Sequence, residues 1–376
     1  MSVLATNAIT DASGGNTATI NSYTPTESNM AGRNRIINGD MRIDQRNAGA
    51  SYTQVNGAYS LDRWSGNSYD GGAATSKFSV QQSTTAPAGF SNSLLVTSLA
   101  ATADSGDDIF NIEQKIEGFN SADLDFGTAS AKTITLSFWV RSSLTGTFGG
   151  AVKNSARDRA YPFAYTISSA NTFEYKTITI AGDTSGTWVG ATNGTGLWLS
   201  FGLGVSSNRS DTAGAWAGGD LFSSTGATRV IGTSGATLYI TGVQLEAGSV
   251  ATPFEHRQYG QELALCRRYL PAYNPGSSGS LGSGMCITTS SAMIFVPFDV
   301  PARVAPNGLT VSSASHFLCW QSNTVGTTPT SIALNQATSN AGLLYPQGMS
   351  GLVAGNATHL LTSNSAAQIL FNGCEL

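Results

Sequence analysis

Charged residues are scarce in this chain of 376 residues. Asp, Glu, Lys and Arg make up 11% of it, whereas soluble domains usually contain about 25%. The formal net charge is −4, which argues against non-specific nucleic-acid binding, because such binding depends on many Lys and Arg contacts with phosphates. It also argues against a polybasic surface that binds membranes. We therefore expect no nucleic-acid partner.

Long apolar runs are missing as well. No stretch approaches the roughly 20 apolar residues that a membrane helix needs, so no membrane insertion is predicted. The N-terminal sequence MSVLATNAITDASGG lacks the basic region of a secretory signal peptide. We therefore expect the protein to be made and assembled in the cytoplasm.

Cysteine and histidine are few and widely spaced. The four cysteines are separated by 20, 33 and 55 residues, so no zinc knuckle is predicted and free buried thiols are expected. The three histidines form no HExxH pattern, and the GxSxG, Walker and GxGxxG motifs are absent. We therefore predict no enzyme: no catalytic residue, no metal ligand and no cofactor.

Strand patterns follow one another between residues 74 and 250. The segment KTITLSFWVR at 132–141 alternates apolar residues with mostly polar ones, which is typical of a strand with one buried face. TFEYKTITI, GLWLSFGLGV and TLYITGVQL repeat the pattern. Because the helices of a parallel α/β fold are missing between them, the sequence predicts an all-β fold, an antiparallel jelly-roll sandwich.

The composition divides the chain into four parts. Residues 1–33 are rich in Thr, Asn, Ser and Gly and are predicted to form an extended N-terminal arm. Residues 34–256 are the jelly-roll module, and 257–271 form a connecting helix that ends before Pro271. Residues 272–376 are a smaller β domain with three charged residues. Because Lys and Glu are depleted at interfaces, this domain is predicted to be an oligomer interface or a distal tip.

Arginine and aspartate are interleaved in residues 34–63. We interpret this pattern as ion pairs that fix a strand-turn-strand unit around the Asn38-Gly39 turn. A metal site or a catalytic carboxylate pair is the alternative.

Two motifs resemble the opening and closing elements of a family of tailed-phage fibre and prophage tail proteins. The first is RNRIINGDMRIDQRNAG at 33–49, and the second is YITGVQLEAGSVATPFEHRQYGQELAL at 239–265. The leader TDASGGNTATINSYTPTESNMAG is also similar to leaders in such proteins. The resemblance implies a jelly roll similar to carbohydrate-binding modules, in a virion fibre that is generally a homotrimer. It implies a virion-attaching N-terminus and a host-facing C-terminus, but it supplies no ligand residues.

The leading hypothesis is therefore a structural phage virion protein. It would be a trimeric tail fibre that attaches to other tail proteins through residues 1–33 and recognises host polysaccharide or lipopolysaccharide non-covalently. The alternative is a purely architectural virion protein, such as a head fibre, a capsid decoration or a collar component. A tailspike-type polysaccharide depolymerase is a third hypothesis, although no solenoid repeat with a period of about 20–50 residues is apparent.

Sugar sites combine aromatic platforms with polar groups that bind hydroxyls, so aromatic and charged residues in predicted loops are the candidate ligand residues. They are Trp216, Trp188, Tyr161, Arg159, Asp211 and Trp320. Each could instead be a packing anchor. Trp64, Trp139 and Trp198 lie in or beside predicted strands, and we expect them to pack in the core.

A structural Ca²⁺ ion would have Asp107, Asp108 and Glu113 as its candidate ligands, because Ca²⁺ takes six to eight oxygen ligands. The alternative is that the two adjacent aspartates are solvated in a Ser/Gly turn.

Overall fold

The computed structural model describes residues 32–321 and 326–376, and these residues are nearly all β-structure. They divide into two compact units. Of the described residues, unit 1 comprises 32–42, 49–60 and 64–256, and unit 2 comprises 43–48, 61–63 and 257–376. The predicted arm at 1–33 lies outside the described residues except for its last two positions.

Short strands and turns alternate in the chain up to residue 256. The strands are β1 (Tyr52–Thr53), β2 (Ala58–Leu61), β3 (Trp64–Asp70), β4 (Ala73–Ala74), β5 (Phe78–Ser83), β6 (Ser93–Ser98), β7 (Ile109–Glu117), β8 (Ile134–Ser142), β9 (Gly146–Lys153), β10 (Arg159–Ile167), β11 (Glu174–Ile180), β12 (Thr195–Val205), β13 (Ser210–Asp211), β14 (Ala217–Gly218), β15 (Ser223–Ser224) and β16 (Thr237–Ala247).

Two antiparallel sheets pack face to face in unit 1. One has the order β1-β5-β6-β16-β8-β11, and the other has the order β14-β10-β9-β12-β7-β3-β2 with β4 beside β3. Phe138 of the six-stranded sheet lies 5.0 Å, between ring centroids, from both Tyr165 and Phe201 of the eight-stranded sheet. Burial of these rings between the sheets stabilises the sandwich. The predicted all-β fold and antiparallel jelly-roll sandwich are confirmed.

The first residues of the opening motif, 34–39, run along β16 in unit 1. The side chain of Asn34 donates to the carbonyl of Val243 and accepts from the backbone N–H of Leu245. Arg35 pairs with Asp123 at 2.6 Å. Trp64 is fully buried, as predicted, and donates from its indole N–H to the carbonyl of Asn38.

Unit 2 contains residues 272–376, which the sequence assigns to a smaller β domain, together with 43–48, 61–63 and 257–271. Its elements are α1 (Tyr259–Arg267), β17 (Ala272–Tyr273), β18 (Ser280–Cys286), β19 (Ala292–Pro297), β20 (Gly308–Val311), β21 (Phe317–Gln321), β22 (Ser331–Ala337), β23 (Ala341–Gln347), β24 (Ala357–Thr362) and β25 (Ile369–Asn372). The strands form sheets of order β17-β25-β20 and β21-β24-β18-β19-β23-β22. The helix is shorter than predicted, and within the described residues no helix is long and apolar enough to cross a membrane.

The cysteines are unpaired and buried, as the sequence predicts. Burial raises the pKa of Cys319 to about 12 and that of Cys374 to about 11. These thiols are therefore protonated and unreactive at neutral pH.

A carboxylate near the C-terminus neutralises two arginines in unit 2. Glu375 accepts from Arg46 at 2.7 Å through one carboxylate oxygen and from Arg63 through the other. Arg63 is 1% exposed, and its guanidinium carbon lies 3.6 Å from the ring centroid of Tyr269. The interleaved arginines thus form ion pairs, and Arg46 and Arg63 pair with a residue far along the chain. The predicted strand-turn-strand unit around Asn38-Gly39 is wrong, because residues 32–51 contain no strand.

The substitution Glu375→Gln should destabilise unit 2, because it leaves the buried Arg63 without its carboxylate. Removing one partner of a buried ion pair costs about 3–5 kcal/mol. Asp299→Asn is the matched control, because Asp299 is 65% exposed in its pair with Arg267 and should contribute less than about 1 kcal/mol. Urea unfolding measures both losses of unfolding free energy, and equal losses would contradict the assignment.

The stability of unit 2 should depend on the protonation of Asp62. This carboxyl accepts from the backbone and side-chain N–H groups of Gln45 at 2.6 and 2.7 Å, and burial raises its pKa from 3.8 to about 6. Between these pH values the native state holds a proton that the unfolded chain releases, so this group stabilises the fold at low pH and the contribution is lost as pH rises through about 6. The unfolding free energy of wild type minus that of Asp62→Asn should fall by up to about 3 kcal/mol between pH 4 and 6. A constant difference across this range would refute the coupling.

Candidate functional site

Residues 207–226, here called the cover segment, lie on the outer face of the eight-stranded sheet. Its Phe222 carbonyl accepts from the hydroxyl of Ser200 on β12. A side chain at Gly149 of β9 or Gly202 of β12 would meet the hydroxyl oxygen of Ser223 at 2.4 or 2.7 Å. These two glycines therefore allow the cover segment to lie directly on the sheet.

An open cleft of about 300 Å³ lies beside the cover segment, and we call it the outer-face cleft. Its floor consists of side chains that project outward from β3, β7 and β12, and its wall comes from the cover segment and the β9–β10 turn. The residues used below are Asn67, Tyr69, Glu113, Lys115, Trp198, Arg157, Arg209, Asp220 and Phe222.

The alternation of β7 explains why charged groups reach this floor. Phe110 and Ile112 face the core with at most 1% exposure, so Glu113 and Lys115 face outward. The register places Trp198 of β12 opposite Lys115 on one side and opposite Lys153 of β9 on the other. Both ammonium groups lie within 4.7 Å of the indole centroid.

Lys153 is fully buried under the cover segment. Its ammonium lies 2.8 Å from Asp220 Oδ1 and 3.2 Å from the ring centroid of Phe222. Burial lowers the pKa of Lys153 to about 8, and Asp220 opposes this shift. Lys153 is therefore mostly charged at neutral pH.

A hydrogen-bonded network fixes the polar side chains of the floor. The amide of Asn111 donates to Glu113 Oε2 at 3.0 Å and to the hydroxyl of Ser200 at 2.8 Å. The amide of Asn67 donates to Asn111 Oδ1 at 2.9 Å and to Glu113 Oε2 at 3.2 Å. Of this network, Asn67 and Glu113 line the cleft. Because the amide N–H groups of Asn67 are used within the network, these two residues offer oxygen acceptors to donors such as hydroxyls.

Three of the predicted aromatic residues meet in a second place in unit 1. Tyr161, Trp188 and Trp216 form a cluster with Phe126, and the contacting rings lie 4.8–5.8 Å apart, mostly edge to face. The indole N–H of Trp216 donates to the carbonyl of Ala181 at 2.7 Å. The rings thus anchor loops to one another, and the two tryptophans are only half-buried.

Arg159 supports this loop cluster from the side. Its guanidinium donates to both carboxylate oxygens of Asp183 at 2.7 and 2.8 Å. Its aliphatic stem lies against Gly186, where a side chain would come within 2.6 Å. The ion pair therefore holds the loop that contains Trp188.

The remaining two predicted residues lie elsewhere. Asp211 is exposed on β13, where its carboxylate accepts from the N–H of Thr212 at 2.7 Å. Trp320 is 45% exposed on β21 of unit 2. The structure thus brings together four of the six predicted residues, and all six remain predictions as ligand residues.

The prediction that Trp139 and Trp198 pack in the core was wrong. Both are half-buried on the outer faces of their sheets, because their neighbours in the alternating pattern occupy the core. Trp139 lies 5.3 Å from the ring of Tyr175 and lines a shallow aromatic cleft of about 440 Å³ with Phe90 and Phe254. The sequence signal for Trp198 was its place between two core leucines, which assigns it to the opposite face.

The proposed calcium ligands do not share a site. Asp107 pairs with Arg209 at 2.7 Å, and Asp108 pairs with Arg229 at 2.5 Å. Glu113 belongs to the floor network of the cleft. Within residues 32–321 and 326–376, no group of three or more His, Cys, Asp or Glu side chains is placed to hold a metal ion.

Comparisons with known proteins relate this chain to solved structures. No family model and no curated protein matches it. The CBM22-1 xylan-binding domain of Paenibacillus barcinonensis Xyn10C is 10% identical at a TM-score of 0.27, over 55% of this chain and 99% of that domain. A family 11 carbohydrate-binding module from Clostridium thermocellum is 12% identical at 0.27, over 54% and 97%. The enzymatically active domain of bacteriophage CBA120 tailspike protein 4 is 14% identical at 0.32, over 57% of this chain but 21% of that one.

Proposed function

We propose that this protein binds glycans non-covalently in the outer-face cleft and that it is a structural, non-enzymatic component of a phage tail fibre. One observation supports the binding function above all: a rigid network of acceptor groups lies at the floor of an open cleft. Buried polar side chains are costly unless their hydrogen bonds are satisfied. Here Glu113 and Asn111 are buried on the outer face of a sheet, and hydrogen bonds within the network satisfy them.

Aromatic side chains complete the chemistry that a sugar needs. Tyr69 and Trp198 stand beside the Asn67–Glu113 network in the same cleft. An aromatic ring offers an apolar surface to the CH groups of a sugar, and the fixed oxygens accept hydrogen bonds from its hydroxyls. The cleft therefore combines both kinds of contact within one small volume.

The fibre role is supported by the opening and closing motifs and by an exposed apolar face of unit 2. Strand pairing aligns Trp320, His359, Ser283 and Phe295 in one row across four strands. Trp320 and Phe295 are 45% and 54% exposed, and Met285 nearby is 48% exposed. Because interface centres are depleted of charge and enriched in aromatic residues and Met, we propose that sister chains of a homotrimer cover this face.

Tyr69→Ala and Asn67→Ala should each weaken glycan binding about tenfold, a loss of about 1.4 kcal/mol, because each removes one kind of contact. Binding is measured on an array of bacterial surface polysaccharides and lipopolysaccharides, followed by titration of the glycans that bind. Tyr175→Ala is the matched control, because this exposed tyrosine lies on the other sheet. Thermal unfolding confirms that the variants are folded.

Three results would contradict the proposal for this cleft. The first is that no glycan binds, which would favour an architectural role. The second is that the cleft variants bind glycan as wild type does, which would favour another site. The third is the release of reducing ends from a bound polysaccharide, which would indicate a depolymerase.

Mass photometry should find a species near three times 38.9 kDa for the full chain. Phe295→Glu should shift it to single chains at nanomolar concentration, because a buried unpaired carboxylate strongly opposes association. Ser365→Glu places the same charge on an exposed loop of unit 2 and should leave the trimer intact. A wild-type monomer at micromolar concentration would refute the homotrimer.

A further inference from the structure

The outer-face cleft has a positive charge balance although the whole chain carries −4. Three cationic residues line the cleft, Lys115, Arg157 and Arg209, beside two acidic ones, Glu113 and Asp220. Behind the wall, Lys153 pairs with Asp220, and Asp107 pairs with Arg209. A cleft that concentrates one sign of charge attracts ligands of the opposite sign.

One carboxylate serves three of these cations. Asp220 lies 2.8 Å from the ammonium of Lys153, 3.5 Å from Arg157 and 3.8 Å from Arg209. The buried Lys153 makes the shortest contact, and Arg209 makes a closer contact of 2.7 Å with Asp107. Arg157 therefore shares the carboxylate of Asp220 with Lys153, which lies closer to it. The side chain of Arg157 is 53% exposed.

The positive and the acceptor groups occupy successive rows of the floor. Lys115 and Trp198 form one cross-strand pair, and Glu113 and Ser200 form the next pair along β7. Side chains two residues apart on one face of a strand are about 7 Å apart. A sugar residue and its substituent can therefore contact both rows at once.

We propose that the outer-face cleft selects a carboxylated sugar residue, such as a hexuronate, within the host glycan. The carboxylate binds at the mouth of the cleft, against Arg157 and Lys115. The ring hydroxyls bind to the oxygens of the Asn67–Glu113 network. A guanidinium suits this role because its planar N–H groups match a carboxylate in a bidentate arrangement. This inference rests on the proposed glycan-binding function.

The test compares each bound polysaccharide with its carboxyl-reduced form. The array contains acidic and neutral bacterial polysaccharides, including polymers that carry phosphate but no carboxylate. Every polymer that the full-length protein binds is treated with carbodiimide and borohydride, which converts uronic acids into neutral sugars. We expect the reduced forms to bind at least about tenfold more weakly, as the loss of a charge-assisted hydrogen bond implies.

Variants connect this difference to the cleft. Arg157→Gln and Lys115→Gln should each weaken binding of the acidic polymer about tenfold while leaving the weak binding of the reduced polymer unchanged. Arg157→Lys should recover part of the loss, because it keeps the charge without the planar fork. Lys132→Gln is the control, because Lys132 is an exposed lysine of unit 1 that binds the carbonyl of Asp123.

The outcomes separate this inference from the function on which it rests. If no polysaccharide binds, the proposed function fails. If neutral or phosphate-bearing polymers bind as tightly as carboxylated ones, or if carboxyl reduction changes nothing, glycan binding stands and selection of a carboxylate is refuted. Equal effects of Arg157→Gln on acidic and reduced polymers would also overturn the proposal, because they would indicate a structural role for Arg157.

Discussion

The ion pair between Lys153 and Asp220 is the interaction on which the candidate site depends. Lys153 projects from the outer face of a sheet, and its ammonium is fully buried at 2.8 Å from the carboxylate. A buried ammonium without a partner costs several kcal/mol, so the segment that contains Asp220 must lie against the sheet. The same contact that neutralises the charge therefore also builds one wall of the outer-face cleft.

This arrangement imposes a further constraint on the backbone of the sheet. The cover segment approaches β9 and β12 at Gly149 and Gly202, where the hydroxyl of Ser223 occupies the place of a side chain. Any larger residue would lift the segment and lengthen the contact between Lys153 and Asp220. The close approach of the cover segment to the sheet thus depends on two small residues, Gly149 and Gly202, and on one ion pair of Lys153. The open cleft lies beside the segment as a consequence.

The period-two pattern was sufficient to predict the sandwich, because alternation is a local property of each strand. The same pattern already assigned Trp139 and Trp198 to the outer faces of their strands. The general expectation that tryptophan is buried led to the wrong prediction for both. The cleft itself could not be predicted. It requires β7, β9 and β12 to be neighbours in one register, and the register between distant strands depends on contacts that no local pattern specifies. Trp188 and Trp216 were identified from their place in turns, which is a local feature of the sequence. Their contacts with Phe126 join distant parts of the chain and could not be predicted in this way.

The few charged residues of this chain are placed in a consistent way. Exposed ion pairs add little to stability, and several of the few charges in this chain are instead buried and paired with a group of opposite charge. Arg63 has Glu375, and Asp108 has Arg229. Arg157 differs in its exposure: its side chain is 53% exposed, and it shares the carboxylate of Asp220 with the buried Lys153. This half-exposed cation at the edge of an open cleft is the feature on which the proposed selection of a carboxylate rests.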